Sequence, residues 1–157
     1  MAKIKKRTIN PDAKYNSIVV AKLINYVLKR GKKTIAAKIV YNAFDIVKAK
    51  TSKDPMDVFQ EALKNIKPIM EIKPKRIGGA VYQVPVEVSQ ERGTALAMRW
   101  MISISQKKKG KSMEDKLANE IITSAQGDSE SIRKKDSVHR MAEANKAFAH
   151  LGRAKAK

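Results

Sequence analysis

The sequence predicts a mainly α fold: a single domain of about six helices with one projecting two-stranded β-ribbon. Apolar residues recur at three- and four-residue spacing in six separate segments, as in helices that bury one face. Between the third and fourth of these segments, the apolar period changes to that of a β-strand. The chain has 157 residues, no internal repeat and no long linker, so residues 1–157 are expected to fold as one unit.

The first three helices are predicted from apolar stripes and from signals at their ends. We expect the first at about residues 16–30, the second at about 34–50 and the third at 55–67. Asp54 is the expected N-cap of the third helix. Pro55 suits its first position, where the missing N–H has no helical partner.

Residues 71–88 are predicted to form the ribbon. Two runs of period two flank Gly78-Gly79, a pair typical of a tight hairpin turn. Each run contains a proline, Pro74 and Pro85, which cannot donate to a strand ladder and therefore belongs at an unpaired edge. A free edge on both strands indicates an isolated ribbon. Because such ribbons are marginally stable in water, we expect a partner to order this arm.

Three more helices are predicted in the second half of the chain. The fourth covers about residues 92–109, where its apolar stripe contains Trp100. Ser112 begins a capping box for the fifth, which ends near Ala125. The sixth is expected to run continuously from about residue 131 to residue 150.

The chain is strongly basic, with 34 Lys and Arg against 15 Asp and Glu, a formal net charge of +19. Fourteen of these 19 net positive charges lie in four stretches: residues 1–7 (+4), 105–111 (+4), 132–140 (+3) and 151–157 (+3). Clusters of this kind beside helices, with no acidic counterpart, favour a nucleic-acid footprint over solvated loops. The terminal segments 1–9 and 152–157 are expected to be mobile basic tails.

Candidate nucleic-acid contacts are the cations of these stretches, of the ribbon and of the helix ends. Tyr82 joins them as a ribbon aromatic able to stack on a base. The candidates are Lys3, Lys5, Lys6, Arg7, Lys32, Lys33, Lys73, Lys75, Arg76, Tyr82, Arg92, Arg99, Lys107, Lys108, Lys109, Lys111, Arg133, Lys134, Lys135, Arg140 and Arg153. The lysines of 107–111 are expected to lie exposed in a short loop, where they contribute to binding but little to folding.

Other classes of function are disfavoured. The chain has no cysteine, which excludes disulfide scaffolds, zinc–cysteine sites and thiol catalysis. His139 and His150 do not have the three- or four-residue spacing of a metal pair on one helix. The longest apolar run, residues 18–21, is too short to span a membrane, and the basic runs lack the interleaved aromatics of a membrane-surface helix. We expect that the protein is not an enzyme and that it binds no cofactor, metal, membrane or small-molecule substrate.

Four segments in order along the chain carry a resemblance to a known family. They are residues 58–68 (VFQEALKNIKP), 75–88 (KRIGGAVYQVPVEV), 95–100 (ALAMRW) and 139–150 (HRMAEANKAFAH). With GKKT at 31–34 and IVY at 39–41, they resemble ribosomal protein seven of the small subunit, in its bacterial or organellar form. The resemblance covers about residues 10–150. Pro74 departs from it, and residues 10–12 follow it only loosely.

The resemblance implies a structural protein of the small ribosomal subunit, in the cytoplasm or in an organelle. Such a protein is a primary binder of the 3′ major domain of 16S-type ribosomal RNA and nucleates assembly of the subunit head. It lies near the exit-site transfer RNA and touches small-subunit ribosomal proteins nine and eleven, and messenger RNA is a further candidate partner. The residues themselves indicate only a helical core with basic loops and a basic ribbon.

Two alternatives from other classes remain. An architectural DNA-binding protein could place the basic arm in the minor groove, although such arms carry an apolar or proline wedge and this tip is Gly78-Gly79. A nucleic-acid-modifying enzyme would need a metal or nucleophile constellation. Co-purification with ribosomal subunits in moderate salt would separate all three.

Overall fold

A computed structural model describes residues 8–152 of the chain. Its elements are α1 (Ile18–Val27), α2 (Lys33–Thr51), α3 (Pro55–Ile66), β1 (Met70–Ile77), β2 (Ala80–Glu87), α4 (Gln90–Lys107), α5 (Met113–Ala125), α6 (Glu130–Ala144) and a C-terminal 3-10 helix (Lys146–Gly152). The predicted fold class, mainly helical with one hairpin, is confirmed.

The core is made by the first five helices. A cluster of 21 buried residues draws on each of α1 to α5 and contains no residue of α6 or of the ribbon. Phe44 of α2 and Phe59 of α3 lie at its centre, both fully buried, with ring centroids 5.3 Å apart. Burial of one such side chain contributes about 1.5–3 kcal/mol. Because no ribbon residue belongs to this cluster, we expect the helical body to be stable without the ribbon.

Helix ends follow the predicted capping chemistry. The Asp54 carboxylate accepts the backbone N–H of Met56 at 2.9 Å, and the Ser112 hydroxyl oxygen accepts that of Asp115 at 3.2 Å. These bonds satisfy N–H groups that have no partner within the helix. They hold α5 in a fixed position directly after the basic run at its N-terminus.

The ribbon is a two-stranded antiparallel sheet, as predicted, with Met70 opposite Glu87 and Ile77 opposite Ala80. Gly78 and Gly79 form its turn with φ of 58° and 89°. Positive φ at both central residues gives the turn the twist that a two-residue hairpin requires. The chain itself supplies part of the expected ordering partner, because the C-terminal 3-10 helix and α6 pack against the strands.

The prediction of one continuous helix over residues 131–150 is wrong. The α-helix ends at Ala144, and residues 146–152 form a 3-10 helix. Asn145 is the C-cap: its backbone N–H makes the last helical bond to the Met141 carbonyl, and its side-chain amide donates to the same oxygen at 2.8 Å. An Asn side chain commonly competes with the helix backbone for hydrogen bonds in this way. The change of path carries Phe148 to the ribbon.

Candidate nucleic-acid interface

A groove between α1 and α4 has the chemistry of a nucleic-acid site. It has a volume of about 520 Å³, and its lining includes Lys22, Asn25, Tyr26, Arg92 and Arg99. The Arg99 guanidinium carbon lies 5.9 Å from the centroid of the Tyr26 ring, and Tyr26 is 38% exposed. An accessible aromatic face beside a guanidinium can stack a base while the cations bind phosphates.

Part of this groove was not predicted from the sequence. Arg92 and Arg99 were candidate contacts, but Lys22, Asn25 and Tyr26 were not. The signal was present, since these three residues lie on α1 at positions i, i+3 and i+4 and so form one face opposite the apolar stripe. Lys33 lines an adjoining hollow that shares Asn25 with the groove.

Ion pairs connect the groove to the base of the ribbon. Glu71 of β1 is only 7% exposed and accepts Arg92 Nε at 2.7 Å, and Lys73 Nζ lies 3.1 Å from the same carboxylate. Burial alone would raise the pKa of Glu71, but the hydrogen bonds from Arg92 and Lys73 outweigh it and hold this pKa below its usual value. The charged pairs therefore keep the start of the ribbon beside α4.

The outer half of the ribbon presents different side chains on its two faces. Lys75 and Tyr82 are opposite each other in the register, and both contact the C-terminal 3-10 helix. Arg76 and Val81 form the next pair, and because strand side chains alternate they lie on the other face, where both are exposed. The three predicted ribbon cations are thus separated: Lys73 is at the base, Lys75 faces the chain itself, and Arg76 faces outward.

A second basic surface lies at one end of the helical body. Lys32, Lys29 and Lys116 line a groove of about 360 Å³ whose apolar lining includes Ile35, which is 53% exposed. Gln106 and Met113, on either side of the connection between α4 and α5, line the same groove. The fold therefore brings the predicted cation Lys32 close to the lysine run, in which Lys107, Lys109 and Lys111 are exposed.

Lys108 differs from the rest of that run, and the expectation that every lysine of the run is exposed is wrong for this residue, whose side chain is only 33% exposed. Its ammonium forms an ion pair with the carboxylate of Glu120, a residue of α5 that is fully buried. The other carboxylate oxygen of Glu120 accepts the Ser131 hydroxyl at 2.6 Å and the Ser131 N–H at 3.2 Å. A carboxylate at the first turn of α6 is also favoured by the helix dipole. Lys108 thus belongs to the buried contact between α5 and α6.

The predicted cluster on α6 is also divided. Lys135 is 22% exposed and donates to the Asn65 carbonyl near the end of α3, at 2.7 Å. Arg133 pairs with Asp128 at 3.1 Å, although both side chains are largely exposed. Lys134 and Arg140 are exposed and form no ion pair with another described residue. Lys3, Lys5, Lys6, Arg7 and Arg153, together with most of the expected mobile tails, lie outside the described residues.

The described part of the chain, residues 8–152, contains no group of three or more side chains that could hold a metal ion. None of its helices is long and apolar enough to cross a membrane. The described surface carries two basic grooves and a basic ribbon, features of a protein suited to binding a polyanion.

Comparison with known proteins identifies the class more closely. Residues 1–146 match the family model described as Ribosomal protein S7p/S5e. The chain is 54% identical over 145 residues to the small ribosomal subunit protein uS7 of Thermotoga maritima, covering 92% of this chain and 94% of that protein. It is 56% identical over 145 residues to uS7 of Gemmatimonas aurantiaca, with 92% and 93% covered.

The chain belongs to the ribosomal protein S7p/S5e family. This confirms the family that the four sequence motifs indicated. It also makes the protein a structural ribosomal protein rather than an enzyme. The individual contact residues remain predictions.

Proposed function

We propose that this protein binds ribosomal RNA in the small subunit of the cytoplasmic ribosome through a surface that runs from the α1/α4 groove to the ribbon. The exposed Tyr26 ring beside Arg99 is the observation that carries this assignment. Ribosomal RNA is recognised at unpaired bases that stack on aromatic or guanidinium planes, whereas a duplex presents mainly phosphates. The groove provides a stacking surface as well as cations.

Membership of the family and the division of the surface support a finer role. The body, with its two basic grooves, binds the 3′ major domain of the RNA and nucleates assembly of the subunit head. The ribbon extends from this anchor toward the exit-site transfer RNA, and small-subunit proteins nine and eleven are its protein neighbours. The continuous path from Arg99 through Arg92 and Glu71 to the ribbon supports one extended interface.

Replacing Tyr26 with Ala should weaken binding to an isolated 3′ major domain RNA by about 1–3 kcal/mol, the range for loss of one base–aromatic stack. Arg99→Lys keeps the charge but removes the planar group, so it should also weaken binding. Equilibrium titration of each variant with the RNA fragment gives these values. Lys53→Ala, at an exposed cation between α2 and α3, is the matched control and should bind like the wild type.

The same titration separates the alternatives. Wild-type protein that bound duplex DNA as tightly as the RNA fragment, at equal salt, would favour the architectural DNA-binding function. A Tyr26→Ala variant with unchanged RNA affinity would show that the groove lies outside the interface. Reconstitution of small subunits with each variant then tests whether the groove is needed for head assembly.

A further inference from the structure

The C-terminal 3-10 helix contacts one cross-strand pair of the ribbon in two ways. The Tyr82 and Phe148 ring centroids are 5.3 Å apart, with planes tilted by 56°. The Lys75 ammonium donates to the Leu151 carbonyl oxygen at 2.6 Å. Lys75 and Tyr82 form the third pair from the turn, so both contacts act on the outer half of the ribbon.

Neither partner in this contact is stable by itself. A two-stranded ribbon is marginal in water. A 3-10 helix of 7 residues is longer than the short pieces in which this geometry usually occurs. The base of the ribbon is held separately, by the Ile69 N–H donating to His139 Nε2 at 3.1 Å and by the Glu71 ion pairs. The outer half therefore depends on the 3-10 helix for its order.

We propose that the C-terminal 3-10 helix positions the RNA-contacting side chains of the ribbon, and that Phe148 is the positioning residue. The inference rests on the proposed function, because it takes the ribbon as an RNA-contacting arm. Packing of Tyr82 on Phe148 covers one face of the outer ribbon, and the exposed pair Arg76 and Val81 lies on the other. Tyr82 thus packs against Phe148 within the protein, and the face of the ribbon that carries Arg76 contacts the RNA.

Phe148→Ala tests this in the full chain. An aromatic pair of this kind contributes enough free energy to change the ratio of ordered to disordered outer ribbon by about 3- to 10-fold. Hydrogen exchange of residues 74–83 should accelerate by that factor, while exchange in α2 stays unchanged because Phe148 lies outside the core cluster. Affinity for the 3′ major domain RNA should fall by about 3- to 5-fold, since only the ordered fraction binds fully. Met141→Ala, at a 44% exposed apolar side chain of α6, is the control.

A double-mutant cycle separates positioning from a merely structural role. Arg76→Ala should weaken RNA binding in the wild-type background and have a smaller effect in the Phe148→Ala background, because Arg76 is no longer held in place there. Phe148→Tyr, which keeps the ring, should restore both exchange and affinity. An undiminished effect of Arg76→Ala in the Phe148→Ala protein would overturn the proposal.

Tyr82→Ala gives a second, independent measurement. If Tyr82 packs on Phe148 and not on the RNA, this variant should have the same exchange rates and RNA affinity as Phe148→Ala. The double variant should then bind the RNA no more weakly than either single variant. A loss of affinity well beyond that of Phe148→Ala would show that Tyr82 stacks on the RNA and would contradict the proposal. A wild-type protein that did not bind the RNA would instead refute the proposed function, and unchanged exchange in Phe148→Ala would refute only the positioning role.

Discussion

At the scale of single residues, the clearest departure from a simple basic surface is the buried carboxylate of Glu120. A charged group is costly to remove from water unless its oxygens are satisfied. Here Lys108 supplies the opposite charge, and Ser131 donates two hydrogen bonds. The carboxylate joins the end of α4, the middle of α5 and the start of α6. One cation of the lysine run is therefore committed to the fold.

Lys108→Ala should lower the free energy of unfolding by about 2–3 kcal/mol, because it leaves the Glu120 carboxylate buried without its counter-charge. Removal of one partner from a fully buried pair costs about 3–5 kcal/mol, and Lys108 itself is partly exposed, so a smaller loss is expected. Urea unfolding of the purified variant measures this change.

The neighbouring lysines provide matched controls for that experiment. Lys107→Ala and Lys109→Ala remove the same charge at exposed positions, and each should change the unfolding free energy by less than about 0.5 kcal/mol. These two variants should instead weaken RNA binding through lost phosphate contacts. Equal stability of all three variants would show that the ion pair between Lys108 and Glu120 contributes nothing to the fold.

At the scale of elements, the features predicted correctly from the sequence are those fixed by local chemistry. The caps at Asp54 and Ser112 and the turn at Gly78-Gly79 depend on residues within a few positions of one another. The apolar stripes likewise located all six α-helices. The last helix was predicted too long because its apolar pattern continues beyond Asn145, while the path of the chain is set there by contact with the ribbon.

Features that depend on distant parts of the chain were not predictable from spacing. The ion pair of Glu71 with Arg92 joins two elements, and the groove at Lys32 joins the α1–α2 connection to the end of α4. A candidate list based on charge alone could not tell Lys108, which is used internally, from the exposed Lys109. Tyr26 was not predicted because it lies outside the basic runs, on the polar face of α1.

Shortening of the ribbon tests the division between body and arm. Deletion of residues 75–76 and 81–82 removes two cross-strand pairs, keeps the turn, and preserves which side chains share a face because strands have a period of two. The protein should still fold, with an unfolding free energy within about 1 kcal/mol of the wild type, because no ribbon residue belongs to the core cluster. Circular dichroism during urea unfolding checks this expectation.

The shortened protein should also keep most of its binding free energy for the RNA, with an affinity loss of about tenfold, because the grooves of the body remain. An affinity change of tenfold corresponds to about 1.4 kcal/mol, comparable to a single strong contact. Its defect should appear at the transfer-RNA exit site, as altered retention of deacylated transfer RNA. If reconstituted subunits cannot assemble their heads with this protein, the ribbon is part of the anchor.

At the scale of the whole molecule, the distribution of charge decides how many cations are available to RNA. Of the predicted contacts within residues 8–152, five form ion pairs inside the protein: Lys73, Arg92, Lys108, Arg133 and Lys135. Ten others form no ion pair among the described residues, although Lys75 donates a hydrogen bond within the chain: Lys32, Lys33, Lys75, Arg76, Arg99, Lys107, Lys109, Lys111, Lys134 and Arg140. They are spread over the grooves, the ribbon and α6, so a large RNA can meet many of them at once.

If about eight phosphates are neutralised on binding, the logarithm of the affinity for the 3′ major domain RNA should fall against the logarithm of the salt concentration with a slope of about −6 to −7. The slope arises from counterions released by the RNA, and it counts phosphate contacts regardless of sequence. Titrations at several potassium chloride concentrations measure it. Lys109→Ala should make the slope shallower by about 0.7–0.9, the contribution of one phosphate contact. Lys53→Ala should leave the slope unchanged. A wild-type slope shallower than about −3 would mean that the basic clusters remain solvated in the complex, and the proposed interface would then be wrong.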